Sequence, residues 1–194
     1  PLTVEGVALG ERLFNDPLLS KGEQISCASC HKSSRAFSDS GKKVSAGVEG
    51  QLGSMNTMPL FNLAWHERFF WDGRVASLRE QVLHPMQSPV EMGESLERIV
   101  QKVSGSAYGA DFEKSFGDEN ISVERIALAL EQFLLSIVSM DSKMDRSSRG
   151  ERKLSAQEMQ GLQLFLTEHD PARGLRGADC FHCHGGRLFS NNRF

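Results

Sequence analysis

Cys-x-x-Cys-His occurs twice in this chain, as Cys27-Ala28-Ser29-Cys30-His31 and as Cys180-Phe181-His182-Cys183-His184. No other cysteine is present. On a helical turn, positions i, i+3 and i+4 share one face. Two thiols at i and i+3 can each add to a vinyl group along one porphyrin edge, and a histidine at i+4 can then ligate the iron. The pattern is the c-type haem attachment signature. It points to one haem on Cys27, Cys30 and His31 and another on Cys180, Cys183 and His184, with His31 and His184 as iron ligands.

Other uses of four cysteines fit less well. Paired Cys-x-x-Cys zinc sites usually lie about 15–20 residues apart, whereas these pairs are about 150 apart. A thioredoxin-like redox pair wants a βαβ setting, which is not evident near either motif. A disulfide within Cys-x-x-Cys closes a very short loop, makes a poor staple, and leaves the following histidine without a reason.

The duplication extends beyond the cysteines. Gly10-Glu11-Arg12-Leu13-Phe14 precedes the first motif and Gly161-Leu162-Gln163-Leu164-Phe165 the second, which has two extra residues before its cysteines. Each motif is followed by Arg-x-Phe-Ser-(Asp/Asn). Self-similarity over so long a period implies duplicated domains, not a solenoid. The expected division is 1–150 for the first haem domain and 151–194 for the start of the second. Only ten residues follow His184, so the second domain is expected to be incomplete.

The expected fold class is all-α, with two cytochrome-c-like domains. Helices are predicted over Val7–Phe14, Ala76–Leu83, Ser95–Val103 and Tyr108–Phe116. A long buried helix is predicted from the N-cap Ser122 to about Met140. Asp141–Lys153 reads as a polar, exposed linker, and Ser155 with Glu158 forms a capping-box pattern for the next helix. The glycine-bearing stretch between Ser38 and Phe70 reads as a long loop, and loops of that length in compact domains are often functional. The net charge of -3 argues against nucleic acid as the main partner. The longest apolar run, Ile126–Val138, is short for a membrane span and is broken by Glu131 and Gln132. With no signal-peptide pattern at Pro1, a processed secreted chain or a truncated one is expected.

The motifs together resemble the bacterial di-haem cytochrome c peroxidase family, which includes the MauG enzymes. The resemblance is carried by LGERLFNDPLLS, both Cys-x-x-Cys-His turns, NTMPLFNLAW, FFWDGRVASLREQ and PMQSPVEM, and it covers nearly the whole chain. It implies two c-type haems and one calcium ion. It implies reduction of hydrogen peroxide to water with electrons from a small cytochrome c or cupredoxin. It also implies a periplasmic location, and a homodimer is among the arrangements it allows. The haem on His31 would then be the peroxidatic one and the haem on His184 the electron-transfer one.

Carried over residue by residue, Glu91 matches the distal acid–base, Gln81 a distal hydrogen-bonding glutamine, Trp71 the tryptophan between the haems and Asn56 the side-chain calcium ligand. One carboxyl can take a proton from peroxide as it binds iron and return it to the leaving oxygen. Calcium prefers oxygen donors, which suits Asn56. Read without the family, Glu91 is a solvated loop carboxylate, Trp71 a core aromatic, Gln81 a surface residue and Asn56 a turn residue. His66, His84, His169 and His182 match no role.

The chain departs from many family members in one loop. Where they place a histidine that caps the oxidised peroxidatic iron, this chain has Ser45-Ala46-Gly47-Val48, and valine cannot ligate iron. MauG enzymes, which oxidise residues of a partner protein, also lack that histidine. Two alternatives therefore stand beside a peroxidase: a MauG-like oxidase of a protein substrate, and a di-haem electron carrier without peroxide chemistry. The carrier is disfavoured by Glu91, by Gln81 and by an open iron at the first site.

Overall fold

The computed structural model describes residues 2–186 and 188–190. It is mostly helical. The helices are α1 (Val4–Asn15), α2 (Cys27–Cys30), α3 (Leu78–Gln81), α4 (Leu83–Gln87), α5 (Leu96–Ser104), α6 (Gly109–Phe116), α7 (Val123–Ser136), α8 (Lys143–Ser148) and α9 (Ala156–Leu166), joined by 3-10 turns and irregular segments. One short antiparallel hairpin pairs β1 (His169–Asp170) with β2 (Leu175–Arg176). Contacts divide the chain into two compact units, Pro1–Ile137 and Val138–Phe194.

In the first unit, α1 begins earlier than its apolar pattern suggests, because the Thr3 hydroxyl accepts the Gly6 N–H at 3.0 Å and caps the extra turn. Its buried face is Gly6, Leu9, Gly10, Leu13 and Phe14, a helical stripe laid against α7. The two helices cross closely. A Cβ at Gly10 would lie 2.0 Å from the Ala129 carbonyl oxygen, and one at Gly6 would lie 2.4 Å from Gln132 Nε2. Gln132 is a polar side chain buried in α7, and its Oε1 accepts the Thr3 N–H at 2.8 Å. The amide thus meets its hydrogen-bonding need by fixing the start of α1. Tyr108, Phe112, Ile99 and Val103 complete the core from α5, α6 and the turn between them.

Local chemistry moves several boundaries from where the sequence pattern puts them. The predicted Ala76–Leu83 helix is two short helices. Ser77 caps α3 by accepting the Glu80 N–H at 3.1 Å, and α4 starts afresh at Leu83. The long helix stops at Ser136, not near Met140, because Ile137 turns to ψ 93° and its carbonyl accepts the Asn62 N–H at 2.9 Å. The polar stretch Asp141–Lys153 contains α8, opened by a reciprocal capping box of Ser142 and Asp145. Lys143 on α8 donates to Glu158 on α9 at 2.6 Å, so this stretch makes its contacts within the second unit. As the sequence suggests, Ser155 and Glu158 cap α9, and Ser38–Phe70 holds only 3-10 turns and isolated bridges.

The second unit repeats the beginning of the first. Gly161 on α9 corresponds to Gly10 on α1, yet a Cβ there meets nothing within 4 Å. The β1–β2 hairpin lies between α9 and the second cysteine pair, in the stretch that carries the two extra residues. The paired glycines give a test of opposite sign. Gly10→Ala should destabilise by about 1–3 kcal/mol through overpacking. Gly161→Ala should stabilise by up to about 1 kcal/mol through helix propensity. Denaturant unfolding of both variants checks this, and a Gly10→Ala protein as stable as its parent would deny the close crossing.

Candidate haem-binding sites

The first Cys-x-x-Cys-His turn, built on α2, is short and capped at its start. Ser26 and Ser29 cap it reciprocally, and the His31 N–H closes on the Cys27 carbonyl at 2.9 Å. His31 Nδ1 lies 2.9 Å from the Phe37 carbonyl oxygen. A carbonyl can only accept, so Nδ1 carries the proton and Nε2 keeps the lone pair that a metal needs. Burial pushes the His31 pKa down, against the pull of the Phe37 and Met58 carbonyls, and so favours the neutral ring.

The carbonyl reaches the ring because Phe37 adopts φ 55°, in the left-handed region, directly after Ala36 at φ 54°. The same construction recurs in the second unit. His184 Nδ1 lies 3.1 Å from the Phe189 carbonyl oxygen, and Phe189 has φ 54°. The His184 N–H closes on the Cys180 carbonyl at 2.8 Å.

Behind each turn, the phenylalanine of the Gly-x-x-Leu-Phe segment meets this left-handed phenylalanine edge-on. The ring centroids are 6.2 Å apart for Phe14–Phe37 and 6.0 Å for Phe165–Phe189. The repeated Arg-x-Phe-Ser tail is thus the element that supplies the histidine's carbonyl. Its repetition was visible in the sequence, but its purpose was not.

The four thiols are free. Burial pushes the Cys27 pKa up to about 12. The Cys30 pKa is also raised, first by burial and then by the negative charges of Asp39 and Glu91, while the Ser45 hydroxyl pulls it the other way. Among the described residues no three His, Cys, Asp or Glu side chains converge as around a bare metal ion, so each cysteine pair has only its own histidine. A pair of cysteine side chains one helical turn apart, followed by an imidazole whose Nδ1–H is held by a backbone carbonyl, fits covalent attachment of a c-type haem. The first turn is half-buried, whereas Cys183 and His184 are exposed.

The other singled-out residues gather around the first turn in part. Glu91 is exposed, and its carbonyl accepts the Val48 N–H at 2.8 Å. Val48 itself is buried, with a methyl 3.0 Å from where a Cβ on Gly93 would lie. A Cβ on Gly47 would lie 2.3 Å from the Val90 carbonyl oxygen, so the loop without a histidine lies flat on the loop that carries the acid. Trp71 is 48% exposed and its indole N–H donates to the Asn56 carbonyl at 2.8 Å. Asn56 Nδ2 donates to the carbonyls of Lys42 at 3.0 Å and Lys43 at 3.4 Å. Gln81 ends α3 half-exposed, and among the described residues no hydrogen bond ties it to Glu91 or Trp71.

Residues 4–153 match the profile of the di-haem cytochrome c peroxidase family. The chain belongs to this family. It is 35% identical over 189 residues to a cytochrome c551 peroxidase of Nitrosomonas europaea, covering 96% of this chain and 53% of that protein. It is likewise 35% identical over 197 residues to the methylamine utilization protein MauG of Methylorubrum extorquens, covering 100% of this chain and 53% of that protein. Among solved structures, a MauG-like protein associated with microbial copper homeostasis superposes with a TM-score of 0.87 at 33% identity, over 100% of this chain and 57% of that one. The di-haem peroxidase BthA of Burkholderia thailandensis superposes with a TM-score of 0.82 at 28% identity, over 98% of this chain and 54% of that one. The chain spans about half the length of the curated relatives it matches. Family membership implies two c-type haems, and this chain has two Cys-x-x-Cys-His turns.

Sequence reasoning named Asp39 only as the last letter of the repeated tail. The structure makes it the buried acid beside the first turn, only 3% exposed. Its Oδ1 accepts Lys32 Nζ at 2.6 Å, its Oδ2 accepts Ser45 Oγ at 2.9 Å, and Lys42 Nζ lies 3.3 Å away. The Lys32 ammonium, foremost, holds the carboxyl at about 2 against an ordinary 3.8. A folded value below the unfolded one means that this stabilisation is complete above 3.8 and is lost as pH falls through about 2. Denaturant midpoints measured across that range should fall in the parent more steeply than in Asp39→Asn. Parallel acid limbs would show that the ion pair contributes nothing to folding.

Proposed function

We propose that this chain carries the peroxide-reactive haem site of a di-haem c-type peroxidase that reduces hydrogen peroxide to water. The electrons would come from a small cytochrome or cupredoxin through the haem of the second unit. The observation that supports this best is the pairing of the Val48 and Glu91 loops beside the first attachment turn. It joins a side chain that cannot ligate iron to the segment that carries an exposed carboxylate.

The haem iron, when bound through His31, supplies the redox chemistry that cleaves the O–O bond. The residues of the chain do the rest. Glu91 would take a proton from bound peroxide and return it to the departing oxygen, so that the first water would leave with that proton and its own. Two electrons from the donor and two protons from solvent would complete the second water. His31, with Nδ1–H held by the Phe37 carbonyl, would present an oriented and basic Nε2 to the iron. Gln81 would hydrogen-bond the bound peroxide, and Trp71 would relay electrons. Asn56, whose amide N–H groups already face carbonyls, would offer Oδ1 to calcium. A periplasmic location follows if attachment proceeds as for other bacterial c-type haems.

A MauG-like oxidase of a protein substrate is the second reading, favoured by Val48 in place of the capping histidine and by the superposition on a MauG-like protein. Both readings need two covalent haems, so intact mass and a denaturing-gel haem stain should show two additions per chain. A single or extractable haem removes both readings. Oxidised holoprotein mixed with stoichiometric peroxide in a stopped-flow instrument should change its spectrum at once, without prior reduction. A protein that stays inert until an electron is added has its iron capped by some other residue. Glu91→Gln should slow this step by roughly 10²–10⁴-fold with haem content unchanged, and parental rates would make Glu91 a bystander.

A further inference from the structure

Asp39 is the one acidic side chain in the buried set among the described residues. A buried carboxylate is costly unless paired and hydrogen-bonded, and well-packed apolar replacements are often no less stable. Its placement therefore calls for a reason other than stability.

Its partners come from two different elements. Lys32 directly follows the axial histidine, whereas Lys42 and Ser45 belong to the long loop. From Ser45 the connections run two ways. The Ser45 hydroxyl bonds Thr57 Oγ1 at 2.6 Å, and its carbonyl accepts the Gly53 N–H at 3.1 Å. Three residues on, Val48 is bonded to the Glu91 loop. From Lys42, the backbone carbonyl accepts Asn56 Nδ2, and the Asn56 carbonyl holds the Trp71 indole. One carboxylate thus stands where the haem-attachment turn, the Glu91 loop and Trp71 all connect. Its ion pair with Lys32 also puts the charge one residue from His31.

We propose that Asp39 is a positioning residue that locks the long loop to the first haem-attachment turn and sets the charge beside that haem. The proposal rests on the haem reading above. Removing the charge leaves the ammonium groups of Lys32 and Lys42 without their counter-ion, which makes the surroundings of the iron more positive and favours the reduced haem. Groups around the iron's own ligands tune a bound metal through such charges and hydrogen bonds.

The test uses the holoprotein. Asp39→Asn should retain both haems by intact mass. It should shift the midpoint potential of the N-terminal haem upward and speed amide hydrogen exchange over residues 40–57. Ser45→Ala keeps the charge and removes the bond to the loop, so exchange over 40–57 should speed up while the midpoint stays near that of the parent. A merely structural role for Asp39 would move exchange and leave the midpoint where it was. Equal midpoints in parent and Asp39→Asn, with both haems attached, overturn the proposal, and so does a Ser45→Ala loop that exchanges at the parental rate. If Asp39→Asn does not accumulate as holoprotein, Lys42→Gln, which removes one of the ammonium groups facing Asp39, should shift the midpoint downward, and a parental midpoint in that variant overturns the proposal. A parent chain without covalent haem overturns the di-haem reading, and this proposal falls with it.

Discussion

The close crossing of α1 and α7 is the constraint on which the first site depends. Gly10 lets the α1 backbone approach the Ala129 carbonyl to a distance that leaves no room for a side chain. That approach seats Phe14, four residues on, against Phe133, with ring centroids 5.1 Å apart. Phe14 in turn packs on Phe37 and lies 6.4 Å from the His31 ring. The position of His31 is therefore transmitted from a helix crossing through a chain of rings, each held by packing that permits little drift. In the second unit Phe165 and Phe189 keep the ring pair, while a Cβ at Gly161 would meet nothing within 4 Å.

Much of this was legible in the sequence because it is written in short range. The Cys-x-x-Cys-His turns, the repeated Gly-x-x-Leu-Phe, and the caps at Ser122 and Ser155 all depend on neighbours within a few residues. What stayed hidden involves either backbone conformation or distant partners. Nothing marks Phe37 as left-handed, since the usual sign of positive φ is glycine or asparagine. Gln132 looked like an interruption of an apolar helix and is instead the clamp for Thr3. The contact between Val48 and Glu91 joins two loops far apart in sequence, and no periodicity announces it. Asp39 shows the same limit, because a carboxylate in a polar tail reads as solvated until its three partners are seen.

The local surprises share a cause. α8 arises in a stretch that reads as a linker, because Ser142 and Asp145 satisfy one another's backbone groups. The split between α3 and α4 follows from the cap at Ser77, and Pro85 sits in the first turn of α4, where it needs no N–H. Short polar devices of about one hydrogen bond each decide where elements begin when apolar periodicity is weak, as it is throughout both regions.

The left-handed phenylalanines have a consequence for how such units can diverge. Phe37 lies six residues after His31, but Phe189 lies five after His184. Both nevertheless bring a carbonyl oxygen to within hydrogen-bonding distance of Nδ1, at 2.9 and 3.1 Å. The duplicated copies have thus kept a point in space and let the residue count change. A one-residue deletion or insertion between histidine and phenylalanine is tolerated wherever the last residue can still turn its carbonyl back onto the ring. An alignment that scores only matched columns would count that gap as divergence, although the acceptor it spans is the same in both copies.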